Sequence, residues 1–270
     1  MAILVANPAA SQFTGGVHRS VALALSQRFE VEALWPNSPG EARAIAARAA
    51  SDGAGIVVAM GGDGVVHHVA QGLIGSATPL GIIPVGTTNV IARLTGLPAR
   101  PGAAVKLITG SHSVTPQPVL DISAVTAQGP MHRSALFALG VGPDAAIVKE
   151  ADSEPYRKYR FGGLHYARTA VGVARRDLRK RRPVATARAN SRCAEVIGMM
   201  VQLRDSYTYF GRIPMRFSPQ PPDPLTVLAV TGLRVRRTPA ILRGALGRRG
   251  MGDVKGFEVW EGVSEAAIGS

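Results

Sequence analysis

The most constraining feature of this chain is a continuous apolar run, Gly55-Ile56-Val57-Val58-Ala59-Met60. It ends in Gly61-Gly62-Asp63-Gly64 and passes into a helical pattern from about Val65 to Ile74. A run of this kind suits a strand buried on both faces. Glycines at its end let the backbone turn tightly and aim N–H groups at a ligand, since no Cβ blocks the approach. The start of the next helix adds partial positive charge, which makes the loop a candidate phosphate cradle. A carboxylate at Asp63 is unwelcome beside phosphates unless it binds a cation or accepts a ligand hydroxyl. The alternative is an ordinary strand-to-helix turn in which Asp63 caps its helix. The loop is neither the dinucleotide G-x-G-x-x-G nor a Walker loop, because no Gly-Lys-Ser/Thr follows.

A second loop of the same build comes next. Leu80-Gly81-Ile82-Ile83 reads as a buried strand, then Pro84-Val85-Gly86-Thr87-Thr88-Asn89 opens another helix with hydroxyls and an amide where a nucleotide could bind. Upstream, Ile3-Leu4-Val5-Ala6 ends at Asn7-Pro8, a helical pattern follows through Val17, Val21 and Leu25, and Glu30–Leu34 reads as a strand. Glu41–Ala50 is an Ala-rich helix. Strand-helix alternation predicts an α/β N-terminal domain with a parallel sheet and helices on both faces, over residues 1–118. Successive loops then share the carboxyl edge of the sheet, where open α/β sheets bind ligands. From Val119 the pattern becomes short alternating segments (Val119–Val125, Ser134–Val141, Glu195–Leu203, Leu225–Val230) with one helical interlude, Phe161 to about Leu178. This predicts a mainly antiparallel, β-sandwich-like domain over residues 119–270.

Charge separates the same two regions. The chain carries 31 Lys+Arg and 18 Asp+Glu, and the basic excess sits almost entirely beyond residue 110. Between 157 and 182, Asp177 is the one acid among Arg157, Lys158, Arg160, Arg168, Arg175, Arg176, Arg179, Lys180, Arg181 and Arg182. With helical spacing, Leu164, Ala167, Val171, Ala174 and Leu178 share a face, so the segment is expected to lie on an anionic membrane surface. A solvated arginine face is the alternative. Nucleic acid is not an expected partner, because no aromatic interleaving or reader motif accompanies the charge. A homodimer is compatible with the sequence. The single cysteine excludes an intrachain disulfide framework. No stretch approaches the ~18 apolar residues of a spanning helix, and the N-terminus reads as a strand and not a signal peptide. The expected location is therefore cytoplasmic, with peripheral membrane association.

These motifs together resemble the diacylglycerol kinase catalytic-domain family, which includes bacterial lipid kinases and sphingosine kinases. The resemblance is carried by Gly61–Gly64 with Gly72-Leu73 eight residues on, Leu80–Arg93, and Gly96-Leu97-Pro98. It extends to Asn7-Pro8-Ala9-Ala10-Ser11, Gly140–Ala145, Phe161–Tyr166 and Tyr207–Gly211. It implies transfer of the ATP γ-phosphate to a lipid hydroxyl, with Mg²⁺. Asn7, Pro8, Ala9, Ala10, Ser11, Gly61, Gly62, Asp63, Gly64, Gly86, Thr87, Thr88 and Asn89 would then bind ATP. Asp63 is the candidate catalytic residue, Gly142 and Asp144 are candidates for the lipid substrate, and Asp223 for metal.

The departures from the family pattern are equally specific. Where the family has Thr after the glycine loop and Asn-Glu beyond it, this chain has Val65, His67 and His68. The threonine contact near Gly40 falls on Pro36, and the acid-rich, magnesium-holding loop is reduced to Pro219–Pro224 with Asp223 its one acid. The Gln-x-Asp-Gly-Glu segment that supplies the family's general base has no counterpart before Ser270. A catalytically degenerate lipid- or nucleotide-binding regulator is therefore the first alternative to a kinase. A nicotinamide-nucleotide kinase, which shares the glycine loop, is the second.

Overall fold

In the computed structural model, which describes residues 1–111, 113–153, 183 and 185–269, the chain divides into two units, Met1–Ser134 and Ala135–Ser270. The basic segment 157–182 and the helix expected from Phe161 lie outside the described residues.

The N-terminal unit runs β1 (Ala2–Ala6), α1 (Gly15–Ser26), β2 (Val31–Leu34), α2 (Pro39–Ser51), β3 (Ile56–Gly61), α3 (Asp63–Leu73), β4 (Leu80–Pro84), α4 (Val90–Leu94) and α5 (Pro101–Thr109). The four strands form one parallel sheet in the order β2-β1-β3-β4. Strand β1 leads outward to β2, and the chain then returns across β1 to β3. The direction of winding therefore reverses between β1 and β3, and right-handed crossovers place the helices on opposite faces.

The packing agrees. Val21 and Leu25 of α1 with Ala104, Val105 and Ile108 of α5 cover Leu4, Val58, Met60 and Ile83. Ile3, Val5, Val57 and Ala59 alternate to the other side, where α2 and α3 bury Ile45, Ala46, Val66 and Val69. Strands buried on both faces explain the unbroken apolar runs. Helix starts follow local chemistry: the Thr14 hydroxyl accepts from Val17 N, and Ser38 accepts from Glu41 N with Pro39 in the first turn. A two-stranded ribbon, β5 (Leu120–Thr126) with β6 (Gly129–Ala135), completes this part of the chain. The change of sequence pattern comes at Val119, whereas the compact units part after Ser134.

The C-terminal unit comprises β7 (Ala138–Val141), α6 (Pro143–Ser153), β8 (Ala185–Ala189), β9 (Arg192–Val196), β10 (Gly198–Gln202), β11 (Thr208–Phe210) and β12 (Ile213–Met215). It continues through β13 (Leu225–Val230), α7 (Thr238–Leu246), β14 (Phe257–Val263) and β15 (Ala266–Gly269). An antiparallel sheet β14-β13-β10-β7, a second sheet β15-β8-β9 and the hairpin β11-β12 give the expected mainly antiparallel architecture. Phe217, Leu228, Ala245, Met251 and Val254 form one core of this unit. Among the described residues, no helix is long and apolar enough to cross a membrane.

Candidate functional site

Three loops leave the carboxyl edge of the parallel sheet, after β1, β3 and β4, and backbone hydrogen bonds knit them together. Asn7 N donates to Met60 O at 3.0 Å, and Val85 N donates to Gly61 O at 3.0 Å. Gln12 N donates to Val85 O at 2.8 Å, its side-chain Nε2 donates to Gly86 O at 2.8 Å, and Thr87 Oγ1 donates to Ser11 Oγ at 3.2 Å. The first loop is closed on itself by Asn7, whose Oδ1 accepts from Ala9 N and whose carbonyl accepts from Ala10 N.

The second and third loops touch main chain to main chain. A Cβ on Gly86 would overlap Gly62 Cα, and one on Gly62 would stand 3.3 Å from Gly86 Cα. Gly86 admits no side chain in this approach, and one at Gly62 would crowd it. Asn89 fixes the third loop from within. It adopts the left-handed region at φ 51°, which asparagine tolerates, and its amide brackets Gly86: Oδ1 accepts from Gly86 N and Nδ2 donates to Gly86 O.

Asp63 does not cap its own helix. Its carboxylate reaches the next one, Oδ2 accepting from Val90 N and Oδ1 from Ile91 N, both at 2.9 Å. The carboxylate thus fastens the start of α4 to the glycine loop and stabilises that helix start by about 1 kcal/mol. Helix α3 begins at Asp63 with Gly62 as its N-cap and no side-chain cap. Its first-turn amides lie beside Gly62 and Gly64, and a Cβ on Gly64 would meet nothing within 4 Å. This is main chain suited to phosphate oxygens.

The departures from the family pattern have structural readings here. Val65 is buried and packs over Gly61 where a Cβ would otherwise stand. His67 and His68 lie edge to face, 5.2 Å between centroids. Burial lowers the His67 pKa first, with His68 and Arg133 adding to the effect.

In the C-terminal unit, the candidate substrate residues form a separate arrangement. Asp144 stands in the first turn of α6, its carboxyl filling the space above Gly140 that a Cβ would occupy. The Tyr207 hydroxyl donates to Asp144 Oδ2, and the Tyr207 ring packs against Phe217 at 5.2 Å. Burial pushes the Asp144 pKa up, and the Tyr207 hydrogen bond opposes it. Gly142 turns the chain at φ +90° against Ile197 and Gly198, where a side chain would collide with their backbone. Sequence reasoning gave Tyr207 no role, and the only signal for it was its place in a family segment. Gln12 was also missed.

Asp223 stands exposed just before β13. Among the described residues, no group of three His, Cys, Asp or Glu could hold a metal ion. Asp223 is one carboxylate without a ligand set among the described residues, and these residues do not by themselves make a metal site at this loop.

The diacylglycerol kinase catalytic domain family matches residues 1–118. A Stenotrophomonas maltophilia protein named probable lipid kinase YegS-like is 33% identical over 150 residues, covering 53% of this chain and 46% of the relative. A Mycobacterium tuberculosis diacylglycerol kinase is 36% identical over 99 residues, 36% of this chain and 32% of the relative. The chain therefore spans less than half the length of these curated relatives. A crystal structure of a diacylglycerol kinase from Bacillus anthracis superposes with a TM-score of 0.63 at 19% identity, covering 99% of this chain and 85% of that one. That likeness shows the shared two-part fold. The family resemblance carried by the loops is shown for the N-terminal unit.

Proposed function

We propose that this chain is an ATP-dependent lipid kinase that transfers the γ-phosphate to a hydroxyl of a diacylglycerol-like or related lipid at a membrane surface. The observation that carries the reading is the junction of the three loops, with Gly62 against Gly86 and Asp63 tied to α4, within a segment that matches the diacylglycerol kinase catalytic domain. In this reading the first-turn amides of α3 and the turn Gly86–Asn89 receive phosphate oxygens, and Asn7–Ser11 form the third wall. Phosphoryl transfer depends chiefly on positioning and charge stabilisation, which main chain of this kind supplies.

Asp63 is the proposed catalytic residue. In this reading the Asp63 carboxylate, held at the loop junction by Val90 N and Ile91 N, accepts the proton of the acceptor hydroxyl. Mg²⁺, when bound with the nucleotide, would supply charge neutralisation on its phosphates. Asp144, oriented by Tyr207 beside the turn at Gly142, is a proposed lipid contact within the C-terminal unit. The basic residues between 157 and 182 are the proposed attachment to anionic lipid. Neutralising Arg175, Arg176, Arg179 and Arg182 should then weaken sedimentation with anionic vesicles, and unchanged sedimentation removes that part of the proposal.

The test of activity is a labelled-ATP assay over mixed lipid vesicles, comparing wild type with Asp63→Ala. Lipid phosphorylation lost in the variant supports the kinase. No turnover in either protein, with vesicle binding retained, supports the regulatory alternative, and phosphorylation of soluble dinucleotide in place of lipid supports the nicotinamide-nucleotide kinase.

A further inference from the structure

We propose that Trp35, backed by His18 and Phe13, is the stacking platform for the base of the nucleotide whose phosphates the three loops receive. The inference rests on the nucleotide reading above and names residues beyond those proposed to receive the phosphates. Its starting point is a set of rings at the same sheet edge. Phe13 and His18 lie 5.8 Å apart between centroids, and His18 and Trp35 lie 5.2 Å apart, both pairs tilted by 43°.

Sheet register places this set. Leu34 pairs with Val5, so Trp35 stands level with Ala6, where the first loop begins. Phe13 follows directly on that loop: its N donates to Ala10 O, and the preceding Gln12 is tied to Val85 and Gly86. The platform is therefore fixed to the phosphate loops through Gln12 and lies on the β2 side of them. From β2 across β1 and β3 to β4 is three strand spacings, about 14 Å. An extended ribose and triphosphate bridges such an edge, with its phosphates over the second and third loops and its base over β2.

The rings have the right exposure for this. Trp35 is 49% exposed although it follows a strand of the sheet, and the His18 ring lies against it at a tilt. Burial lowers the His18 pKa, and its Nε2 is buried with no hydrogen-bond partner among the described residues. An unpaired buried nitrogen is a cost that a purely structural ring stack does not require. The loop carrying Trp35 is held rather than loose: Asn37 N donates to Glu41 Oε2 at 2.7 Å, and Ser38 caps α2. A preorganised indole at the end of a phosphate channel gives a base a flat surface without selecting strongly among bases.

Indole emission tests this directly on the full chain. The protein has two tryptophans, and Trp260 is 3% exposed in the other unit, so the difference between wild type and Trp35→Phe isolates Trp35. ATP is expected to quench Trp35 emission and tripolyphosphate to leave it unchanged. Trp35→Ala should raise the ATP dissociation constant about 5- to 50-fold while tripolyphosphate binding stays within about twofold, and Trp35→Phe should restore most of the ATP affinity. ATP binding without a change in Trp35 emission overturns the platform, as does an equal loss of ATP and tripolyphosphate binding in Trp35→Ala. If tripolyphosphate binds and ATP binds no tighter, the platform fails and the phosphate loops stand. If neither binds, both fail.

Discussion

The loops of the N-terminal unit meet backbone to backbone, with side chains bonding to that backbone, whereas the Asp144 arrangement of the C-terminal unit joins side chain to side chain from distant sequence. Gly62 meets Gly86 backbone to backbone, and amides of Val90 and Ile91 close on Asp63. Asp144 depends on the hydroxyl of Tyr207, 63 residues away, and on the space over Gly140. A main-chain cradle is complete before any ligand arrives and tolerates little change in its glycines. A partly buried carboxyl bonded to a phenol keeps its shape when altered but changes its charge state. The two regions should therefore fail in different ways.

The sharpest attack on this contrast is Gly86→Ala. The added methyl overlaps Gly62 Cα and crowds Asn89 Oδ1, so the loops must separate. Nucleotide affinity should fall by at least about 100-fold, with a stability loss of about 1–3 kcal/mol, measured by calorimetry and thermal melting. Gly102→Ala in α5 is the matched control. Its Cβ meets nothing within 4 Å, and it should stabilise the fold by about 0.4–1 kcal/mol.

Asp63→Ala comes next in size. Lipid phosphorylation should fall by about 10²–10⁴-fold, and stability should drop by about 0.5–2 kcal/mol as α4 loses its cap. An unchanged melting temperature would mean that the clasp to Val90 and Ile91 contributes nothing in solution.

Tyr207→Phe tests the other region through pH. Asp144 has a folded-state pKa above its unfolded value. The stability it contributes is present below the unfolded pKa and is lost as pH rises through the folded pKa. Removing the phenol removes the effect that lowers this pKa, so denaturant midpoints followed across the acid range should show the loss displaced to higher pH, and Asp144→Asn should abolish it. The fold itself should survive both changes.

The smallest effect belongs to His67→Gln. The His67 pKa is lowered in the fold, so the native state gives up stability as pH falls through the unfolded value of about 6.5. The substitution should flatten that acid-side decline by less than about 1 kcal/mol, visible in melts taken either side of the transition.

The same contrast governs what could be read from the sequence. The strands Ile56–Gly61 and Leu80–Pro84 and their glycine loops were legible because a strand buried on both faces has one composition and a tight phosphate turn has another. The target of Asp63 was not legible. A carboxylate in a helix's first turn ordinarily implies a local cap, and nothing in the sequence ties it to amides 27 and 28 residues on. Tyr207 stayed without a role because a phenol in a short hairpin has no periodicity that reveals its partner. The ring set at Phe13, His18 and Trp35 escaped notice for a related reason, since its members lie in a loop, a helix and a strand end that only sheet register brings level.

The most direct measurement is amide hydrogen exchange with and without ATP. The account predicts new protection at the amides of Gly62 to Val65 and Gly86 to Asn89, reduced in Asp63→Ala. Protection that appears elsewhere while both loops exchange as freely as before would contradict it.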